Sequence, residues 1–336
     1  MGTWKDMLKA DPTNWLLEKD NPSVRYYALR DLVDLPETDA QVQTARQEIM
    51  EHGLVPKMLM LQREPAYQRK YPAFYTDKYK GLVWTLIALA EMGATPNDQI
   101  REQCEYLLGC SQEKQDGGFS QHEAVKSGGG RMSEVIPCLT GNMVWCLIRF
   151  GYLEDDRLQR GIGWLTSFMR FNDGVEDNPQ SAPYDKMEAC WGKHTCHMGV
   201  VKAMKALGEI SKEKRSAHME STLLACIEFM LIHHIYKRSH HLTRTAKPGW
   251  LKFGFPMMYQ TDVLEVLDIL TAIGIKDSRM KDAIELVLTK QDALGRWTME
   301  NTYASDRMLA AFGQLGEQSK WITLRALRVL KRYAES

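Results

Sequence analysis

No apolar run in this sequence approaches the roughly 20 residues that a membrane-spanning helix needs. The first stretch, residues 1–19, carries Lys5, Asp6, Lys9 and Asp11 among its apolar residues. It therefore lacks the unbroken apolar core of a secretory signal, and a cytoplasmic location is expected. Net charge is also missing, because 43 Lys and Arg balance 43 Asp and Glu. That balance argues against a general electrostatic grip on nucleic acid or an anionic membrane, so any anion site must be local. The seven cysteines form an odd count in a chain without an export signal. Reduced thiols or metal ligands are expected in place of a disulfide framework. Gly128-Gly129-Gly130 before Arg131 lacks the flanking strand and the Lys-Ser/Thr pair of a phosphate loop, and reads as part of a flexible loop. No strand-period pattern stands out.

What the chain has in quantity is helix-period patterning. Hydrophobic residues make up 44% and charged residues 26%, the balance of a globular protein with a large core. Leu82, Leu86, Leu89 and Ala90 form one stripe, and Leu264, Leu267, Leu270 and Ile273 another. A unit of about 60 residues recurs, in which an apolar helix ends at Gly and an amphipathic helix follows. In three of the four full units a turn rich in Gln, Asp and Gly comes next: Gln115-Asp116-Gly117-Gly118-Phe119, Asn172-Asp173-Gly174, and Gln291-Asp292 with Gly295-Arg296-Trp297. The inner helices are expected at Pro22 to Leu35, Tyr79 to Met92, Cys138 to Phe150, His194 to Gly208, Tyr259 to Gly274 and Ser319 to Tyr333. Gly93, Gly151, Gly208 and Gly274 mark equivalent helix ends, because glycine accepts the left-handed conformation that closes a helix. Outer partners are expected at Asp39 to His52, Asn97 to Cys110, Asp155 to Arg170, Ala217 to Tyr236 and Ser278 to Lys290. An amphipathic N-terminal helix, Trp4 to Lys19, would supply the sixth and close the ring. The expected fold is thus all-α, a single (α/α)6 toroid over residues 1–336. Three long irregular stretches, Ser111 to Pro137, Phe171 to Lys193 and Ser239 to Met258, precede inner helices and would gather at one mouth.

Gln115-Asp116-Gly117-Gly118-Phe119 and Gln291-Asp292 to Gly295-Arg296-Trp297 resemble the Gln–Trp repeat turns of the terpenoid cyclase and protein prenyltransferase superfamily. The resemblance covers most of the chain and implies an (α/α)6 barrel with an apolar central cavity. Lys193-His194-Thr195-Cys196-His197 resembles the prenyltransferase stretch in which a His before Thr-Cys ligates zinc. Gly130-Arg131, seven residues before Cys138, resembles the stretch that holds the cysteine ligand. The family's Asp two residues before that Cys is Ile136 here, so the third ligand would fall to Glu134, His197, Cys196 or Asp262. The acidic Asp-x-Asp-Asp signature of squalene-type cyclases is absent. Zinc is the implied cofactor.

Other candidates come from the residues alone. Cys138 and His194 start successive inner helices, so a ring would make them neighbours; a buried thiol and a hydrogen-bonded His are the plainer alternative. The tract from His233 to His241, with Lys237 and Arg238, suits an anion or a metal, or only complements a helix C-terminus. Asp262 and Tyr259 lie at another inner-helix start, where a carboxyl in an apolar site could act as a general acid or simply cap the helix. Trp84, Trp145, Trp191, Trp321 and Arg131 are the remaining candidates for the cavity and its mouth. The leading expectation is an enzyme that takes an apolar, isoprenoid-like molecule into the cavity, with zinc at the helix starts. The alternatives are a metal-independent cyclase or isomerase using Asp262, a lanthionine-cyclase-like zinc thiol chemistry suggested by Cys190-Trp191-Gly192 and Cys196-His197, and a non-catalytic helical scaffold.

Overall fold

The computed structural model describes residues 3–192, 196–302 and 308–335. The chain opens with a 3-10 turn, Trp4–Met7, and one helical turn, α1 (Thr13–Leu16). Helices α2 (Pro22–Asp31), α3 (Ala40–Glu51), α4 (Leu54–Gln62) and the single turn α5 (Pro65–Gln68) follow. Next come α6 (Leu82–Glu91), α7 (Asp98–Cys110), α8 (Pro137–Arg149), α9 (Asp156–Phe168) and the short α10 (Glu188–Trp191). The remainder is α11 (His197–Glu209), α12 (Ala217–Ile232), α13 (Val263–Ile273), α14 (Lys281–Thr289) and α15 (Lys320–Glu335). The protein is mostly helical, as the periodicity requires.

Local chemistry explains these bounds. Side chains of Asn21, Asn97, Asp155, Ser216 and Asp262 each accept a backbone N–H of the helix they precede. Pro22 and Pro137 occupy first-turn positions, where the missing N–H costs nothing. Nearly every residue of α6, α8, α11 and α13 is buried, which marks helices enclosed on all sides. Sequential pairs pack together: α2 on α3, α6 on α7, α8 on α9, α11 on α12 and α13 on α14. The enclosed helices also touch one another in the order α6, α8, α11, α13, α15, α2.

The Gly-rich turns lock each pair to the next. The Gln112 side chain donates to the Gly117 carbonyl at 2.9 Å and to that of Arg157, on α9, at 2.7 Å. Gly117 has φ +86°, and a Cβ there would lie 2.6 Å from Arg160 Cβ. At the second turn, Gln291 accepts the Lys9 N–H at 2.7 Å and donates to the Met7 carbonyl at 3.2 Å. Gly295, φ +69°, lies against the Ala10 carbonyl so closely that no Cβ fits. Buried Phe119 and Trp297 close the two turns, and their N–H groups donate to Thr140 at 2.9 Å and Thr323 at 3.0 Å. Residues 3–17 therefore stand to α15 as α9 stands to α8.

Several expectations are corrected. Trp4 to Lys19 is not one helix: Pro12 lacks the N–H to continue a turn and disfavours helix at Asp11, so two short turns cover α15 instead. Gly93, Gly151 and Gly274 do take positive φ past their helix ends. Gly208 does not, because it lies inside α11, where its missing Cβ lets Ile273 approach. Helix α12 stops at Ile232, since His234 and Ile235 take φ +42° and +72°. An unanticipated hairpin of β1 (Lys237–Arg238) and β2 (His241–Thr245) follows. Helix α13 starts at Val263, which leaves Tyr259 ahead of it. Among the described residues no helix is long and apolar enough to cross a membrane.

Candidate functional site

Two ends of the enclosed helices carry different chemistry. At the helix starts, glycine lets backbones meet: a Cβ on Gly199 would lie 2.7 Å from Pro137 Cβ, and one on Gly141 would lie 2.5 Å from the Lys202 carbonyl carbon. Helices α8 and α11 are thereby pressed together at their N-termini. Cys138, second residue of α8, is brought beside Cys196, the residue that precedes α11, and Cys190. Burial pushes the Cys138 thiol well above its usual pKa; Cys196 and Cys190 push it further, and Lys202 opposes them. Burial and Cys196 likewise raise Cys190 to about 12. No disulfide joins these thiols. Pro137, Cys190, Trp191, Gly192 and Cys196 line a narrow crevice beside them. Cys190 comes from the long loop before α11 and closes this thiol group.

His194, expected to share a metal with Cys138, lies outside the described residues. His197 is turned to another chamber. Its ring packs edge-on against His233 at 4.3 Å, Phe229 at 5.0 Å and Trp250 at 5.5 Å. That chamber, about 590 Å³, is also lined by Cys196, Arg238 and His240. His233 and His240 each point Nε2 at Asp173 Oδ2, at 3.4 and 3.6 Å. Lys237 instead pairs with Asp282 of α14. Among the described residues, no three or more His, Cys, Asp or Glu side chains are arranged to hold a metal.

An aromatic wall stands near the thiols. Trp84 contacts Tyr75 at 4.9 Å, Tyr79 at 5.6 Å and Tyr259 at 5.9 Å, ring centre to ring centre. Lys78 Nζ lies over Tyr259 at 4.5 Å, Tyr75 at 4.8 Å and Trp84 at 5.6 Å, within cation–π range. Partial burial lowers the Lys78 pKa, and Cys138 opposes that shift. Burial, with Tyr79 adding to it, raises the Tyr259 hydroxyl to about 12. Lys78 was not among the sequence candidates; a lone cation in the run Tyr75 to Tyr79 is the signal that could have found it.

The other candidates scatter. Trp191 packs on Tyr184 and Trp164, beside the crevice. Trp321 stacks on Phe255, centroids 4.2 Å apart and planes 7° from parallel. Arg131 pairs with Glu134 at 3.2 Å, and Glu134 meets His122 at 2.6 Å, all in the loop before α8. Asp262 caps α13: Oδ1 accepts the Glu265 N–H at 2.7 Å and Oδ2 that of Gly254 at 2.9 Å. Burial pushes its carboxyl up to about 6 against those two donors and Arg325.

The resemblance implies an apolar central cavity. The space lined by α2, α6, α8, α11, α13 and α15 together, about 260 Å³ toward their C-terminal ends, is charged instead. Lys202 Nζ bonds both Glu265 oxygens at 2.7 and 2.8 Å, fully buried. Lys205 pairs with Glu91 and lies 3.7 Å from the Trp145 ring centre. Asp268 collects Arg325, Arg328 and Arg332 at 3.4, 2.9 and 2.9 Å. Buried charges persist only when paired, and these acids are held low. Burial alone would raise Glu91, yet Lys205 and Arg325 bring it to about 2. Trp145 thus lines a charged cleft, with its Nε1 donating to Glu209 at 3.1 Å.

Neither a protein-family model nor a curated protein matches this chain.

Proposed function

We propose that this chain is an enzyme on an (α/α)6 toroid of the terpenoid cyclase and prenyltransferase type, working at the helix-start mouth. Cys138 and Cys196, with His194, would hold zinc there. An apolar, isoprenoid-like substrate would lie along the wall of Trp84 and Tyr259. Closure into a toroid is supported by the cleft that α2, α6, α8, α11, α13 and α15 all line, and by the matching grips of Gln112 and Gln291. The observation that carries the site is the close approach of Gly199 to Pro137, which sets thiols one repeat apart side by side.

The donor set fits a thiophilic cation, since thiolate and imidazole suit zinc. Zinc, when bound, would withdraw charge from a thiol, water or carbonyl at an open position. Burial keeps the Cys138 thiol protonated, so ligation requires it to release that proton, and occupancy must rise with pH. Trp84 and Tyr259 would exclude water and present π-faces to an electron-poor carbon. Lys78 would close the wall on the solvent side, its ammonium lying over Tyr259, Tyr75 and Trp84.

Metal analysis of the purified full chain tests this reading. One zinc per chain is expected, lost in Cys138→Ala and in His194→Ala and weakened in Cys196→Ala. Protein that neither carries zinc nor binds added Zn2+ would leave the site without its ion and end the proposal.

A further inference from the structure

The chamber between α11, α12 and the hairpin is far larger than the crevice at the thiols, and the function proposed above leaves it unused. Its volume of about 590 Å³ lies within the roughly 300–1,000 Å³ typical of small-molecule sites. Buried Trp250, with Met198 and Ala246, gives it an apolar lining beside the His197 ring. Arg238 and Lys247 line it too and reach solvent. Neither side chain makes an ion pair or hydrogen bond among the described residues, in contrast to Lys237, which Asp282 takes. Asp173, the one carboxylate among the described lining residues, is already engaged. Ser239 Oγ donates to it, and His233 and His240 point Nε2 at it from 3.4 and 3.6 Å. With histidine counted as neutral, the lining carries two positive charges against one negative. Cys196, the residue before α11, lines the chamber and gives that helix no side-chain cap. The positive end of α11 therefore abuts the same space.

We propose that this chamber binds an aromatic monocarboxylate, its carboxylate answered by Arg238 and Lys247 and its ring lying on Trp250 and Met198. The chemistry matches in three respects. One negative charge neutralises the excess on the lining, whereas a dianion would bring a second charge that nothing there answers. A guanidinium plane presents paired donors to carboxylate oxygens. Indole and thioether groups both make favourable contacts with an aromatic ring.

Calorimetric titration of the full chain at pH 7 with sodium cinnamate tests the site. Cinnamamide supplies the same ring without the charge, and sodium acetate the charge without the ring. Saturable binding near one cinnamate per chain is expected, with cinnamamide about tenfold weaker, as loss of charge-assisted hydrogen bonds implies, and no saturation by acetate. Arg238→Gln and Lys247→Gln, both at exposed positions, should each weaken cinnamate about threefold and leave cinnamamide unchanged. Ala246→Trp, which fills the chamber, should abolish binding of both. Absence of saturable cinnamate binding, equal affinity for cinnamate and cinnamamide, or wild-type binding by Ala246→Trp overturns the proposal. Unchanged cinnamate affinity in both cation variants overturns it as well. The chamber shares Cys196 with the thiol crevice, but none of these readouts requires zinc, so the two proposals fail separately.

Discussion

Gln291 holds the backbone N–H of Lys9 at 2.7 Å across 282 positions of sequence, through the same side-chain amide that reaches the Met7 carbonyl. Gln112 makes the corresponding grip on Arg157 within the interior of the chain. The two ends of the described chain are therefore joined by the device that joins neighbouring pairs.

Gln291→Ala should destabilise the protein by about 1–2 kcal/mol, since it removes two part-buried hydrogen bonds and leaves backbone groups unpaired. Urea unfolding measures the loss. Limited proteolysis should cut within residues 3–17 of this variant and not of Gln112→Ala; equal cutting in both would show that the grip does not hold the segment.

Gly117→Ala and Gly295→Ala should each destabilise by more than about 2 kcal/mol, because a Cβ adds left-handed strain to a backbone clash with the next element. Gly163→Ala, where a Cβ meets nothing within 4 Å, is the control and should be close to neutral. Thermal melts of the three variants decide it, and similar shifts in all would refute close packing at the turns.

Lys202→Met strands Glu265 in the interior with Lys205, 3.6 Å away, and the more distant Arg325 to answer its charge. A loss of roughly 3–5 kcal/mol is expected for breaking a buried pair. Lys202→Met combined with Glu265→Gln should recover a large part of it. A double variant as unstable as the single one would mean that packing, not charge, is what Lys202 provides.

Stability should respond to pH in two opposite ways. Glu91 is held at about 2 in the fold against an ordinary 4.5, so its contribution is complete above pH 4.5 and disappears as pH falls toward 2. Asp262 is pushed up to about 6 from 3.8, so the fold binds its proton more tightly than the unfolded chain does. Its contribution is complete below about pH 4 and is lost as pH rises through 6. Urea midpoints between pH 3 and 7 should show both trends. Asp262→Asn should flatten the interval from 4 to 6, and Glu91→Gln should flatten the acid side; a variant that leaves its interval unchanged removes that residue from the account.

Helix identity was legible because an apolar stripe at helical spacing survives any tertiary context, and because Gly93, Gly151 and Gly274 do close their helices. The turn register was less so. Gln115 read as the counterpart of Gln291, but Gln112 holds the turn, since what matters is the reach of the amide to the next element. Cys196, a candidate ligand in the sequence, lies beside Cys138, whereas the ring of His197 packs against Phe229 and His233. The charged cleft escaped notice because its members are single residues on separate helices. Lys202 and Lys205 on α11 and Glu265 and Asp268 on α13 stand buried among mostly apolar neighbours, and that contrast was the readable sign.

The grip of Gln291 on the opening segment also constrains biosynthesis. Residues 3–17 are made well before Gln291, Gly295 and α15, which cover them. At about 5–20 residues per second, Trp4 and Leu16 wait on the order of 15–60 seconds with their apolar faces uncovered. A nascent chain stalled before residue 290 should therefore recruit holdase chaperones to residues 3–17 and release them only once α15 has emerged.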